Sequence, residues 1–142
     1  VNRVWVVLLL AFCAHIAMAD VVDATSEPLT MEPGRVATGR EIFVDRASGH
    51  CVLCHRVAEL DAPFQGDLGP ELSSIGARLS ASQIRFRVVD ASRLNPASIM
   101  PPYYRAEDLA QVAEAYRGKT VLTGQQIEHL VAYLSSLTEH TP

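Results

Sequence analysis

Apolar and small residues return at helical steps in two well-separated stretches of the chain. In residues 35–47, "RVATGREIFVDRA", Val36, Gly39, Phe43 and Ala47 share one face of a 3.6-residue period. In residues 124–137, "GQQIEHLVAYLSSL", the face is Ile127, Leu130, Val131, Leu134 and Leu137. Thr123 with Gln126 predicts a capping box at the start of the second helix, and Ser80 with Gln83 predicts another before "ASQIRFRVV". A further short helix is expected from Glu107 to Ala115. No stretch reads as an alternating strand, and the chain shows neither internal repeats nor a low-complexity tract. The pattern predicts an all-helical single domain with long loops.

The first residues read differently. "VNRVWVVLLLAFCAHIAMAD" has Arg3 before a short apolar run and Ala17-Met18-Ala19 after it, the arrangement of an export signal removed after residue 19. The run falls short of the ~20 apolar residues that span a bilayer. No membrane span is therefore expected after cleavage. Residues 20–33 form a polar, proline-punctuated leader that should be extended, residues 34–138 the domain, and residues 139–142 a tail. The 142 residues carry a formal net charge of -4, and losing Arg3 with the signal makes the mature chain more acidic still. That balance argues against a nucleic-acid surface. Lys119 is the only lysine, so a lysine-ringed docking face is excluded.

Of the three cysteines, Cys13 falls in the signal, which leaves Cys51 and Cys54 in "GHCVLCHR". A zinc site needs four ligands and no second pair exists. A thioredoxin-like pair belongs after a strand in a βαβ unit, and none is present. A plain disulfide stays open in an exported protein, although closing so short a loop stabilises little. Cys-x-x-Cys-His is also the attachment pattern of c-type haem: two thiols add across the vinyl groups and the adjacent histidine, His55, becomes an axial ligand. Export suits this reading best, because bacterial c-type haems belong in the periplasm. The haem would then serve as much of the domain's core.

A sixth iron ligand could come from Met31, Met100, His50, His129 or His140. His50 adjoins Cys51 and cannot reach the opposite haem face. Met31 lies in the leader, His140 in the tail, and His129 on the side of its helix away from the apolar stripe. Met100 stands in "NPASIMPPYY", where prolines stiffen a loop that could aim one thioether, and it is the favoured candidate.

The CxxCH motif, "LGP", a proline-flanked methionine and the two bracketing helices together resemble the class I cytochrome c fold. The stretches "LGPELSSIGARLSASQIRFRVVDASRLNPASIMPPYY" and "AYRGKTVLTGQQIEHLVAYLSSL" are similar to the SoxX family, the monohaem subunits of SoxAX cytochromes in bacterial thiosulfate oxidation. The resemblance spans about residues 34–138. It implies one haem c on Cys51 and Cys54, His55 and Met100 as iron ligands, and the Pro70 carbonyl bonded to the other ring nitrogen of His55. It also implies that Gly39 and Phe43 cross the last helix near Leu130 and Tyr133. Arg78, Arg85, Arg87 and Arg93 form a basic series beside the haem loops, expected mostly as a solvated face.

The same resemblance implies a role. The family couples thiosulfate to a cysteine of the SoxYZ carrier, the activity of an L-cysteine S-thiosulfotransferase, and the SoxA partner supplies a sulfur-ligated haem. This chain has no cysteine to spare for such a ligand, so it should accept electrons and pass them to a downstream periplasmic cytochrome, without catalysing the coupling alone. The alternative is a free periplasmic monohaem electron carrier. The lysine-poor surface and the long segment "PPYYRAEDLAQVAEAYRGKTVL" weigh against it.

Overall fold

The computed structural model describes residues 27–138. The expected export signal with Cys13, the first part of the leader, and His140 lie outside the described residues. Helix α1 spans Val36–Val44, α2 Ile75–Arg78, α3 Ala81–Asp90 and α4 Gly124–Ser136. Single 3-10 turns lie at Cys51–Leu53, Ala91–Arg93 and Glu114–Tyr116, and no strand occurs among the described residues.

Helix α4 is the centre of the packing, with α1, α3 and α2 all resting on it. Both expected capping boxes are present: Thr123 starts α4 and Ser80 starts α3, each exchanging bonds with the glutamine three residues on. Residues 127–131 of α4 are all buried, so this helix is enclosed on more than the single apolar face its periodicity shows. The tightest crossing is with α1. A Cβ on Gly39 would lie 1.9 Å from the His129 carbonyl oxygen and 2.7 Å from Tyr133 Cβ, so only a hydrogen fits there. One turn further along α1, Phe43 meets Tyr133 edge-on, with ring centroids 5.5 Å apart.

Four expectations from the pattern need correction. Helix α1 ends at Val44, leaving Ala47 outside it: the Asp45 carboxylate accepts from Ala47 N–H at 2.9 Å and from the Ser48 hydroxyl, and this local turn replaces the helical bonds. No α-helix forms over Glu107 to Ala115, which holds only the start of the 3-10 turn Glu114–Tyr116. Asp108 and Gln111 take left-handed φ values of 54° and 59°, and most of the segment is exposed, so no apolar face steadies a helix this short. His129 is buried, not solvent-facing, because α1 starts against it and its Nδ1 accepts Arg35 N–H at 2.9 Å.

The fourth correction is Arg85, which is only 5% exposed. Its guanidinium meets the Glu128 carboxylate in a two-pronged pair, Nε–Oε1 at 2.7 Å and Nη2–Oε2 at 2.9 Å, where α3 faces α4. Burial opposes the charge on Glu128, yet the bonds from Arg85 and from Leu29 N–H outweigh it and hold the carboxyl below its ordinary range. The Leu29 bond, at 2.9 Å, also ties the leader down, assisted by Thr30 and Gln125 side chains at 2.7 Å. Leu29, Thr30, Glu32 and Pro33 are therefore tied to α4.

Candidate functional site

The CxxCH segment follows α1 through a tight reversal. His50 adopts a φ of 58° with its N–H on Asp45 O, and the chain then winds into the 3-10 turn Cys51–Leu53. Cys54 N–H and His55 N–H both point back to the Cys51 carbonyl, at 3.1 and 2.9 Å. That winding is what two residues between the cysteines allow. Both thiols are free, so the disulfide reading finds no support in the geometry. Burial pushes the Cys51 thiol up to about 12, against the opposing hydrogen bond of the Tyr103 hydroxyl. Tyr103, 4% exposed, thus brings the loop after Met100 against the first cysteine.

The segment 69–73 runs beside the residues after Cys54. Gly69 N–H bonds Cys54 O at 2.8 Å and Leu72 N–H bonds Arg56 O at 2.8 Å. His55 Nδ1 lies 2.8 Å from the Pro70 carbonyl. A carbonyl only accepts, so Nδ1 carries the proton, and in the neutral ring Nε2 keeps its lone pair for a metal. Gly69 packs flat against this ring: a Cβ there would come within 2.4 to 2.9 Å of three of its atoms. Close approach without a side chain fixes one side of the imidazole.

Met100 is half-buried and packs at the edge of the core, its N–H on Ser98 Oγ at 3.2 Å. Asn95 braces the preceding turn through bonds from Ala97 N–H and Ser98 N–H. Its rivals are placed elsewhere. Met31 is fully exposed on the leader, and the Nδ1 of buried His129 is engaged by α1. Large apolar side chains beside the motif stand open: Leu53 is 42% exposed, Leu68 68% and Ile99 74%. With two free thiols, a histidine with one ring nitrogen committed, and uncovered apolar flanks, the residues present fit a flat, apolar, iron-bearing macrocycle. Tyr103 and Gly69 are site features that periodicity could not single out. The hints were Gly69's place inside the "LGP" motif and Tyr103's place three residues after the proline-flanked methionine.

Residues 36–138 match the cytochrome c family over most of the chain, and the chain belongs to that family. Among solved structures, SoxXA from P. pantotrophus is similar at 32% identity, covering 80% of this chain and 88% of that one, with a TM-score of 0.73. The c-type cytochrome SorU from Sinorhizobium meliloti is 28% identical over 72% of this chain and 90% of its own, with a TM-score of 0.46. No curated protein matches. The family brings with it a covalently bound haem c. Within the family, the chain is a SoxX-like cytochrome c of the SoxXA type. Among the described residues no helix is long and apolar enough to cross a membrane.

Proposed function

We propose that this chain carries one haem c and serves as the electron-accepting subunit of a periplasmic SoxAX-type cytochrome. Cys51 and Cys54 would form the thioethers, and His55 through Nε2 and Met100 through its sulfur would hold the iron. The observation that carries the ligand assignment is the His55–Pro70 bond, which frees one defined nitrogen for iron. Haem held there would supply reversible one-electron chemistry. Removal of the 1–19 segment on export would place the mature chain in the periplasm.

Coupling thiosulfate to a thiol of a SoxYZ-type carrier forms one S–S bond and releases one proton and two electrons. The chain's part is to take those electrons singly and hand them to a downstream periplasmic cytochrome. The sulfur chemistry stays with a SoxA-type partner, since both described cysteines are committed to haem attachment. The segment from Met100 to Val121 is the surface offered to that partner. It keeps Tyr116 69% and Val121 49% exposed, and it holds an open cleft of about 240 Å³ between Asp108, Val112 and Arg117. Left-handed Asp108 and Gln111 shape the cleft at a cost in backbone strain that a binding surface can justify.

The test mixes the mature protein with a SoxA-type partner, a SoxYZ-type carrier and thiosulfate. Alone, the protein should be reducible yet inert. With the partner, turnover should appear and this chain's haem should become reduced during it. Full turnover by the partner alone, or no association at micromolar concentration, would favour a free electron carrier instead.

A further inference from the structure

The loop that carries Met100 is tied to the end of α3 at three successive residues. Tyr103 N–H donates to Val88 O at 3.3 Å and Tyr104 N–H to Val89 O at 3.2 Å. Arg105 Nη1 then stands 3.0 Å from Asp90 Oδ2. Both backbone bonds lie at or beyond the long end of the usual range, so the charged contact is the strongest of the three. Asp90 is 2% exposed, and its other oxygen accepts the N–H and the hydroxyl of Ser92, at 3.1 and 2.5 Å. A buried carboxylate at the C-terminal end of a helix is opposed by desolvation and by the helix dipole together. Arg105 is the cation that offsets both, and it comes from the loop.

Pro101 and Pro102 separate Met100 from this zipper. Their fixed φ angles leave little slack, so a shift at residues 103–105 is carried to Met100 instead of being absorbed between them. Tyr103 belongs to the buried core against which Cys51 packs, so the zippered loop and the CxxCH segment share that core. We propose that the Asp90–Arg105 ion pair is a latch that holds the Met100 loop against the end of α3 and so keeps Met100 in position to ligate the haem iron. Arg105 is thus a positioning residue that acts on the distal ligand through the loop. The inference rests on Met100 being that ligand.

The experiment measures imidazole affinity of the ferric mature holoprotein, together with the sulfur-to-ferric-iron charge-transfer band. Arg105→Gln should raise imidazole affinity about ten- to a hundredfold, since opening no longer breaks a charge-assisted bond. Asp90→Asn should act in the same direction, and Arg105→Lys, which keeps the charge, should restore most of the wild-type behaviour. If burying the altered Asp90 prevents folding, the partly exposed Arg105 position still gives the result. Unchanged affinity and an unchanged band in folded Arg105→Gln would overturn the latch alone, even if its unfolding midpoint fell. A wild-type spectrum without the band would overturn the Met100 assignment, and the latch with it.

Discussion

Replacing Gly39 by alanine sets two effects of opposite sign against each other. In a helix interior alanine is favoured over glycine by about 1 kcal/mol, so α1 considered alone predicts a more stable protein. The crossing predicts the reverse. The new Cβ would sit 1.9 Å from the His129 carbonyl oxygen and 2.6 Å from its carbon. Both belong to the α4 backbone and cannot rotate aside, so the helices must separate by more than an ångström. That gap loosens Phe43 on Tyr133 and Leu130, which are among the most deeply buried side chains of the fold. Dispersion falls off steeply over such a gap, and forced core insertions cost about 1–3 kcal/mol. Because the added atom meets main chain, the upper end applies, and the net loss should be about 2 kcal/mol after the gain in propensity. Urea unfolding of the holoprotein, followed by far-ultraviolet circular dichroism, measures it. A Gly39→Ala protein as stable as wild type, or more stable, would refute the close crossing.

Three further outcomes follow from the site and its supports. Met100→Ala should open the iron to carbon monoxide or cyanide and lower the midpoint potential, because thioether ligation favours ferrous iron; a variant that binds neither ligand would remove Met100 from the site. Gly69→Ala should tilt the His55 ring away from Pro70 and alter the optical spectrum and potential, whereas an unchanged spectrum would mean that the ring is held by something else. Glu128 has a depressed carboxyl, so its contribution is present above the ordinary value of 4.5 and is lost as pH falls through the lower folded-state value. Glu128→Gln should therefore cost about 3 kcal/mol near neutrality, by removing the carboxylate charge that faces the buried Arg85 guanidinium, and should flatten the acid limb of the stability curve. An acid limb as steep as wild type would contradict that assignment.

How much of this was legible in the sequence depended on how local each feature is. The two capping boxes are four-residue signals, and both helices start where Ser80 and Thr123 place them. The CxxCH turn is equally local. His129 and Arg85 escaped because their burial depends on partners 94 and 43 residues away, which periodicity treats as polar positions facing water. The expected helix over Glu107 to Ala115 failed for a related reason. Its composition favours helix, yet nothing in the fold offers its apolar side chains a surface, and local propensity alone does not sustain so few residues. The Asp90–Arg105 contact joins a helix end to a loop and has no sequence signature at all.

The claim on which everything else depends is that haem is covalently fixed at Cys51 and Cys54. Trypsin should release residues 47–56, "ASGHCVLCHR", between Arg46 and Arg56. Mass spectrometry of that peptide from mature protein, after denaturation and acid-acetone extraction, tests the claim most directly. The peptide should be heavier by one haem, with neither thiol open to alkylation. A peptide of unmodified mass, or one lighter by two hydrogens as a disulfide, would contradict it.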